Sequence, residues 1–166
     1  MQAGGRYPHP VTSNDDPAAG HARLHQLTAA VQEGEPGDDA ALVAVLLAEP
    51  DRLMAESVLT SLVDSWAALL SSAASFAAWA EPLLAAVGDG GFVARRVQEW
   101  GLFKALQSGA PVDRAALAAA SNWLQRKVVE EADSAAVLTV LGEVGRTKRV
   151  RNLAKTHAGR RRSPDR

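Results

Sequence analysis

A chain of 166 residues with a formal net charge of −1 has room for one domain with a real core and is too short for two comfortable ones. It contains no cysteine, which excludes a disulfide framework, a thiolate nucleophile and a cysteine-ligated metal. Apolar residues make up 47% of the chain, led by alanine, with 5% aromatic residues and no isoleucine. Alanine favours helices and is depleted from strands, so the composition predicts an all-α fold.

Along the chain, residues 1–17 are rich in Gly, Pro, Asn and Asp without apolar periodicity, and read as a disordered leader. A first helix follows, with Leu24, Leu27 and Val31 at helical spacing, and "EGEPGDD" breaks it. Asp38 or Asp39 can cap "DAALVAVLLAE", whose lack of a polar face predicts burial all round. Pro50 and Asp51 end that helix and open the next, where Leu59, Leu62, Val63, Trp66, Leu69 and Leu70 form the clearest apolar stripe of the sequence. Pro82 lacks an amide donor and is expected to kink the following segment or to start a fresh helix. "GDGG" reads as a turn, and Val93, Val97, Trp100 and Phe103 as the inner face of the helix after it. Asp113, Ser121 and Asp133 are candidate caps for three short helices, and the last helix is expected from about Arg146 to His157. Trp66, Trp79, Trp100 and Trp123 all read as core anchors. The sum is seven to nine short antiparallel helices, with residues 18–158 as a single helical domain and 159–166 as a disordered basic tail.

In "RKVVEEADSAAVLTVLGEVG" followed by "RNLAKTHAG", Arg126, Val128 and Val129 recur 25 residues later as Arg151, Leu153 and Ala154. Between them lies a helix carrying Val137, Leu138, Leu141 and Val144. Over about residues 113–158 this resembles HEAT/armadillo-like repeats of the leucine-rich-variant kind, in which helix pairs stack into a small right-handed solenoid. What the resemblance implies is a scaffold for protein interaction, without catalytic machinery.

Little else in the chain points to chemistry. His21 and His25 stand one helical turn apart but lack the "HExxH" glutamate and a third ligand, so no metal is expected. "GDGG" has neither a preceding strand nor a phosphate-loop signature, and no "GxSxG" elbow occurs. The neighbouring acids Glu130–Glu131 and Asp38–Asp39 point apart and make no acid–base couple. Catalytic residues and cofactors are therefore not expected. The opening residues lack the apolar core of a signal peptide, and no apolar run approaches the roughly 18 to 20 residues needed to span a bilayer; the expectation is a soluble, cytoplasmic protein with no membrane partner.

The charge distribution is the strongest functional signal. Nine of the 18 Lys and Arg residues lie from Arg146 to Arg166 against one of the 19 acids, leaving the preceding chain markedly acidic. On a helical projection Val150, Leu153, Ala154 and His157 form an apolar stripe, and Lys148, Arg151, Asn152 and Lys155 a polar one. Lys148, Arg149, Arg151, Lys155, Arg160, Arg161 and Arg162 are the candidate residues for gripping an anionic partner. The expected partner is a protein with an acidic surface. Nucleic acid is the second reading, one variant of it a helix-turn-helix with the last helix in the reading position, although the acidic remainder would repel a polyanion and no aromatic residue is interleaved for stacking. The same basic helix can also simply close the fold.

Overall fold

The computed structural model describes residues 17–33 and 40–162. Most of the expected leader, the Asp38–Asp39 cap and residues 163–166 lie outside the described residues. Among those described there are nine α-helices and no strand. They are α1 (Pro17–Glu33), α2 (Ala40–Leu47), α3 (Arg52–Leu69), α4 (Ala73–Val87), α5 (Gly91–Gln107), α6 (Arg114–Ala119), α7 (Asn122–Glu131), α8 (Ala135–Val144) and α9 (Lys148–Arg162).

Most boundaries are set by local hydrogen bonding. Asp51 accepts from Met54 N at 3.0 Å to start α3, Asp113 from Ala115 N and Ala116 N to start α6, and Ser121 from Leu124 N to start α7. Each cap satisfies backbone donors that the first turn leaves open. At α8 the expected cap is displaced by one residue: Ser134 accepts from Val137 N, and Asp133 pairs with Arg161 instead. Between α4 and α5, Gly88 and Gly91 have φ of 79° and 91°, a left-handed conformation open to glycine and costly to other residues. The "GDGG" stretch is thus a turn. Pro82 sits inside α4 without ending it. At the far end α9 begins two residues later than expected, with Thr147 Oγ1 accepting from Val150 N at 3.1 Å, and runs on to Arg162. Residues 159–162 are therefore the last turn of a helix rather than the start of a disordered tail.

The core has a large-residue half and a small-residue half. In the first, α3 packs on α1, α2 and α5, and α4 on α5. Leu62, Val63, Trp66, Phe76, Val97, Trp100 and Phe103 are all buried there. The α3 stripe holds as far as Trp66, but Leu69 is 66% exposed, so the helix turns its last apolar residue to solvent. Of the four tryptophans, Trp66 and Trp100 are buried while Trp79 and Trp123 are partly so. Nor is α2 buried all round: Leu46 is enclosed, but Val45 is 50% exposed, because an eight-residue helix lying mainly on α3 has neighbours for only part of its surface.

In the second half α8 makes the most extensive helix contact of the molecule, with α9, and further contacts join α6 to α8, α7 to α9 and α7 to α8. Here small residues set the spacing. A Cβ added at Gly142 would lie 2.9 Å from Lys155 Cγ, and one at Gly145 would lie 2.8 Å from Leu141 O and 2.9 Å from Val150 Cγ1. The inner stripe of α9 is Val150, Ala154 and Ala158, each buried. Leu153, expected on that stripe, is 38% exposed. Helices that approach through glycine and alanine leave no room between them for a leucine, which is pushed to the flank.

Candidate functional site

Three bonds fix how α9 lies beside α7. The fully buried Gln125 donates through Nε2 to Leu117 O at 2.9 Å and accepts from Arg146 N at 2.8 Å. His157 Nδ1 lies 2.8 Å from Val129 O, and Arg161 Nη1 pairs with Asp133 at 2.6 Å. Val129–His157 joins the two helices, and Asp133–Arg161 follows four residues on along both stretches of chain, so α7 and α9 run side by side in the same direction. By contrast, the Arg114–Glu143 pair at 2.6 Å joins the first residue of α6 to the next-to-last residue of α8.

This placement divides the seven predicted basic residues. Lys148, Arg149, Lys155 and Arg160 are exposed, and among the described residues none of these four makes an ion pair. Lys148, Arg151 and Lys155 share the flank that faces α8, where Arg151 is half-buried and donates from Nη1 to Gly145 O at 2.7 Å. That bond neutralises the carbonyl end of α8, so Arg151 is engaged in closing the fold. Arg161 is committed to Asp133, which is 94% exposed. The side chain of Arg162 lies outside the described residues. Arg149 falls on the other flank of α9, facing α7. The candidates thus form two basic edges of one helix.

On the α7 side the structure adds a feature that the sequence did not single out, a cavity of about 280 Å³ between α7 and α9. Val129 and Val150 form its apolar lining, Leu153 stands at its rim, and Arg126, Arg149 and Glu130 supply its charges. Asn122, Arg126 and Glu130 follow one another at four-residue spacing along α7, and all three are exposed. That spacing was the available signal for a common face of α7. What hid the cavity was the assignment of Leu153 to the interior.

Elsewhere, several polar groups in the interior have structural partners, whereas Trp66 Nε1 and Arg96 Nη1 are buried without a hydrogen-bond partner among the described residues. Glu99, 8% exposed, accepts from Ser121 N at 2.7 Å and Ser121 Oγ at 2.9 Å, tying α5 to the start of α7. Lys104, 5% exposed, donates from Nζ to Leu70 O at the end of α3. Burial, and then the nearby Lys127 charge, holds its ammonium below lysine's ordinary value of 10.5. Arg96 stacks on Trp123 at 3.7 Å, and Asp64 accepts from Trp100 Nε1 at 2.7 Å. Glu131 pairs with Lys127 on its own helix while Glu130 faces the cavity, so these two acids do point apart. His25 is exposed on α1 and the side chain of His21 lies outside the described residues. No group of three or more His, Asp or Glu residues that could hold a metal ion occurs among the described residues, and none of their helices is long and apolar enough to cross a membrane.

No protein-family model, curated protein or solved structure matches this chain.

Proposed function

We propose that this protein is a non-enzymatic interaction module that binds the acidic surface of another protein through the basic edges of α9. The observation that carries this reading is the set of exposed cations Lys148, Arg149, Lys155 and Arg160, which make no ion pair among the described residues on a chain that is otherwise acidic. Exposed charges of one sign on a rigid helix draw an oppositely charged partner and set its approach rate more than its final affinity. The parallel course of α7 and α9 supports a helical-repeat reading of this end of the chain, since equivalent helices of stacked repeats run the same way. The α6–α8 pair, joined start to end through Arg114 and Glu143, lends it no such support.

A protein partner suits these observations better than nucleic acid. The cations are parted by Asn152 and Thr156 into two edges, α9 carries no aromatic residue for base stacking, and the acidic remainder of the chain opposes a long polyanion. Absence of a bound cofactor, a cytoplasmic location and freedom from membranes belong to the same reading. The test is to titrate the intact protein, and a Lys148→Glu/Lys155→Glu variant, with an acidic polypeptide, duplex DNA and single-stranded RNA at low and high salt. Tighter binding of the polypeptide than of either nucleic acid, weakened in the variant and by salt, is the expected result. Preferential binding of DNA or RNA at matched charge would replace this reading with the nucleic-acid one.

A further inference from the structure

The geometry points to the α7–α9 groove as the docking site for an acidic amphipathic segment of the partner protein, one that sets a carboxylate against Arg149 and, about one helical turn farther on, an apolar side chain beside Leu153 with a second carboxylate in reach of Arg126. This rests on the protein-binding reading above and gives it a location and a ligand chemistry.

The order of groups along the groove carries the argument. Because α7 and α9 are parallel, with His157 bonded to Val129 and Arg161 to Asp133, a residue of α7 lies level with the one 28 positions on. Thr147, Arg149 and Asn122 thus stand at one end of the groove, Arg126 and Leu153 about one turn on, and Glu130 beyond them. Val129 and Val150, 2% and 3% exposed, line the floor. A leucine 38% exposed at the rim of an apolar depression is a ready anchor point, because a partner's side chain placed there removes apolar surface of both molecules from water. The two guanidiniums form fork-shaped donors suited to carboxylates. Glu130, at the end away from Arg149, repels a carboxylate there and so fixes the direction in which the segment lies. A uniform polyanion satisfies the arginines but gains nothing from Leu153, and it meets Glu130 as well. The complementary ligand is therefore a helical or extended segment with separated acidic and apolar positions.

Two synthetic helical peptides of equal net charge test this, one with carboxylates and leucines a turn apart and one with alanine in place of each leucine. Titrated against the intact protein, the leucine peptide is expected to bind on the order of tenfold tighter, the effect of burying one large apolar side chain. Leu153→Ser should abolish that preference while the protein stays folded, because the side chain is partly exposed and outside the buried stripe of α9. Arg126→Glu with Arg149→Glu should weaken both peptides by about tenfold or more. Lys148→Glu with Lys155→Glu, on the opposite flank, should weaken both while preserving the preference. Equal binding of the two peptides, or a preference unchanged in Leu153→Ser, would overturn the groove and leave the acidic-protein reading in place. Failure of both peptides to bind at low salt would overturn the two together.

Discussion

The two halves of the molecule solve the same packing problem with different materials. From α3 to α5 the core is filled by volume: Trp66, Phe76, Trp100 and Phe103 interlock, with the Trp100 and Phe103 rings 5.8 Å apart and edge to face. From α6 to α9 it is set by closeness and by polar pins, with Gly142, Gly145, Ala154 and Ala158 bringing backbones together and Gln125 stitching α7 to the α8–α9 turn. Close packing through small residues sends the long ones outward. That is why Leu153, Arg149 and Arg160 are available at the surface, and why the candidate site lies in this half.

The contrast breaks most visibly at the largest side chain. Trp66 is 2% exposed, so Trp66→Ala should cost about 3–5 kcal/mol in urea melts. Trp66→Phe should cost much less, because the Trp66 Nε1 donor is buried without a hydrogen-bond partner and phenylalanine removes that unsatisfied group. In the small-residue half the sensitive position is Gly145. Its added Cβ meets the backbone oxygen of Leu141, which cannot step aside, so Gly145→Ala should cost about 1–3 kcal/mol by overpacking. Gly142→Ala brings its Cβ to 2.9 Å from Lys155 Cγ, near the root of that side chain, a crowding that about 1 kcal/mol of helix propensity offsets. Its melt should lie within about 1 kcal/mol of the parent. Gln125→Ala leaves Leu117 O and Arg146 N without their buried partner, a loss of about 1–3 kcal/mol. A Gln125→Ala melt indistinguishable from the parent would mean that the polar pin contributes nothing to register.

The smallest effect expected is a pH dependence from the large-residue half. Burial lowers the Lys104 pKa in the folded protein below its value in the unfolded chain. Between those two values the unfolded state holds more protons, so stability contributed at this site rises with pH and its penalty is full below the folded value. Compared with Lys104→Met, the parent should therefore gain stability as pH approaches 10.5. A flat difference from neutral pH upward would show that the ammonium is well solvated.

The sequence revealed what depends on local periodicity and capping. The all-α class, the α3 stripe through Trp66, the inner face of α5 and the caps Asp51, Asp113 and Ser121 follow from spacing and side-chain hydrogen bonding. What it concealed depends on which helices meet and how closely. An apolar α2 reads as fully buried until its neighbours prove too few, leaving Val45 half exposed. In α9, Leu153 looks interior on any scale of hydrophobicity, but α8 approaches through Gly142 and the following Gly145, leaving Val150, Ala154 and Ala158 inside and Leu153 at the flank. The basic residues were legible as a set, but their division into two edges, and the loss of Arg151 and Arg161 to Gly145 O and Asp133, required the fold. Arg126 was legible only as part of a repeat. Its place in the same groove as Arg149 and Leu153 comes from the parallel run of α7 and α9.

The most direct test of the central claim is a hydrogen-exchange footprint of the intact protein with and without the leucine-bearing acidic peptide. Docking on the small-residue half predicts slowed exchange in α7 and α9, over residues 122–130 and 147–156, and unchanged exchange across the apolar groove between α2 and α4 lined by Val43, Leu47, Trp79 and Leu83. Protection confined to α2 and α4, with α7 and α9 unchanged, would contradict the account and move the binding surface to the other half of the molecule.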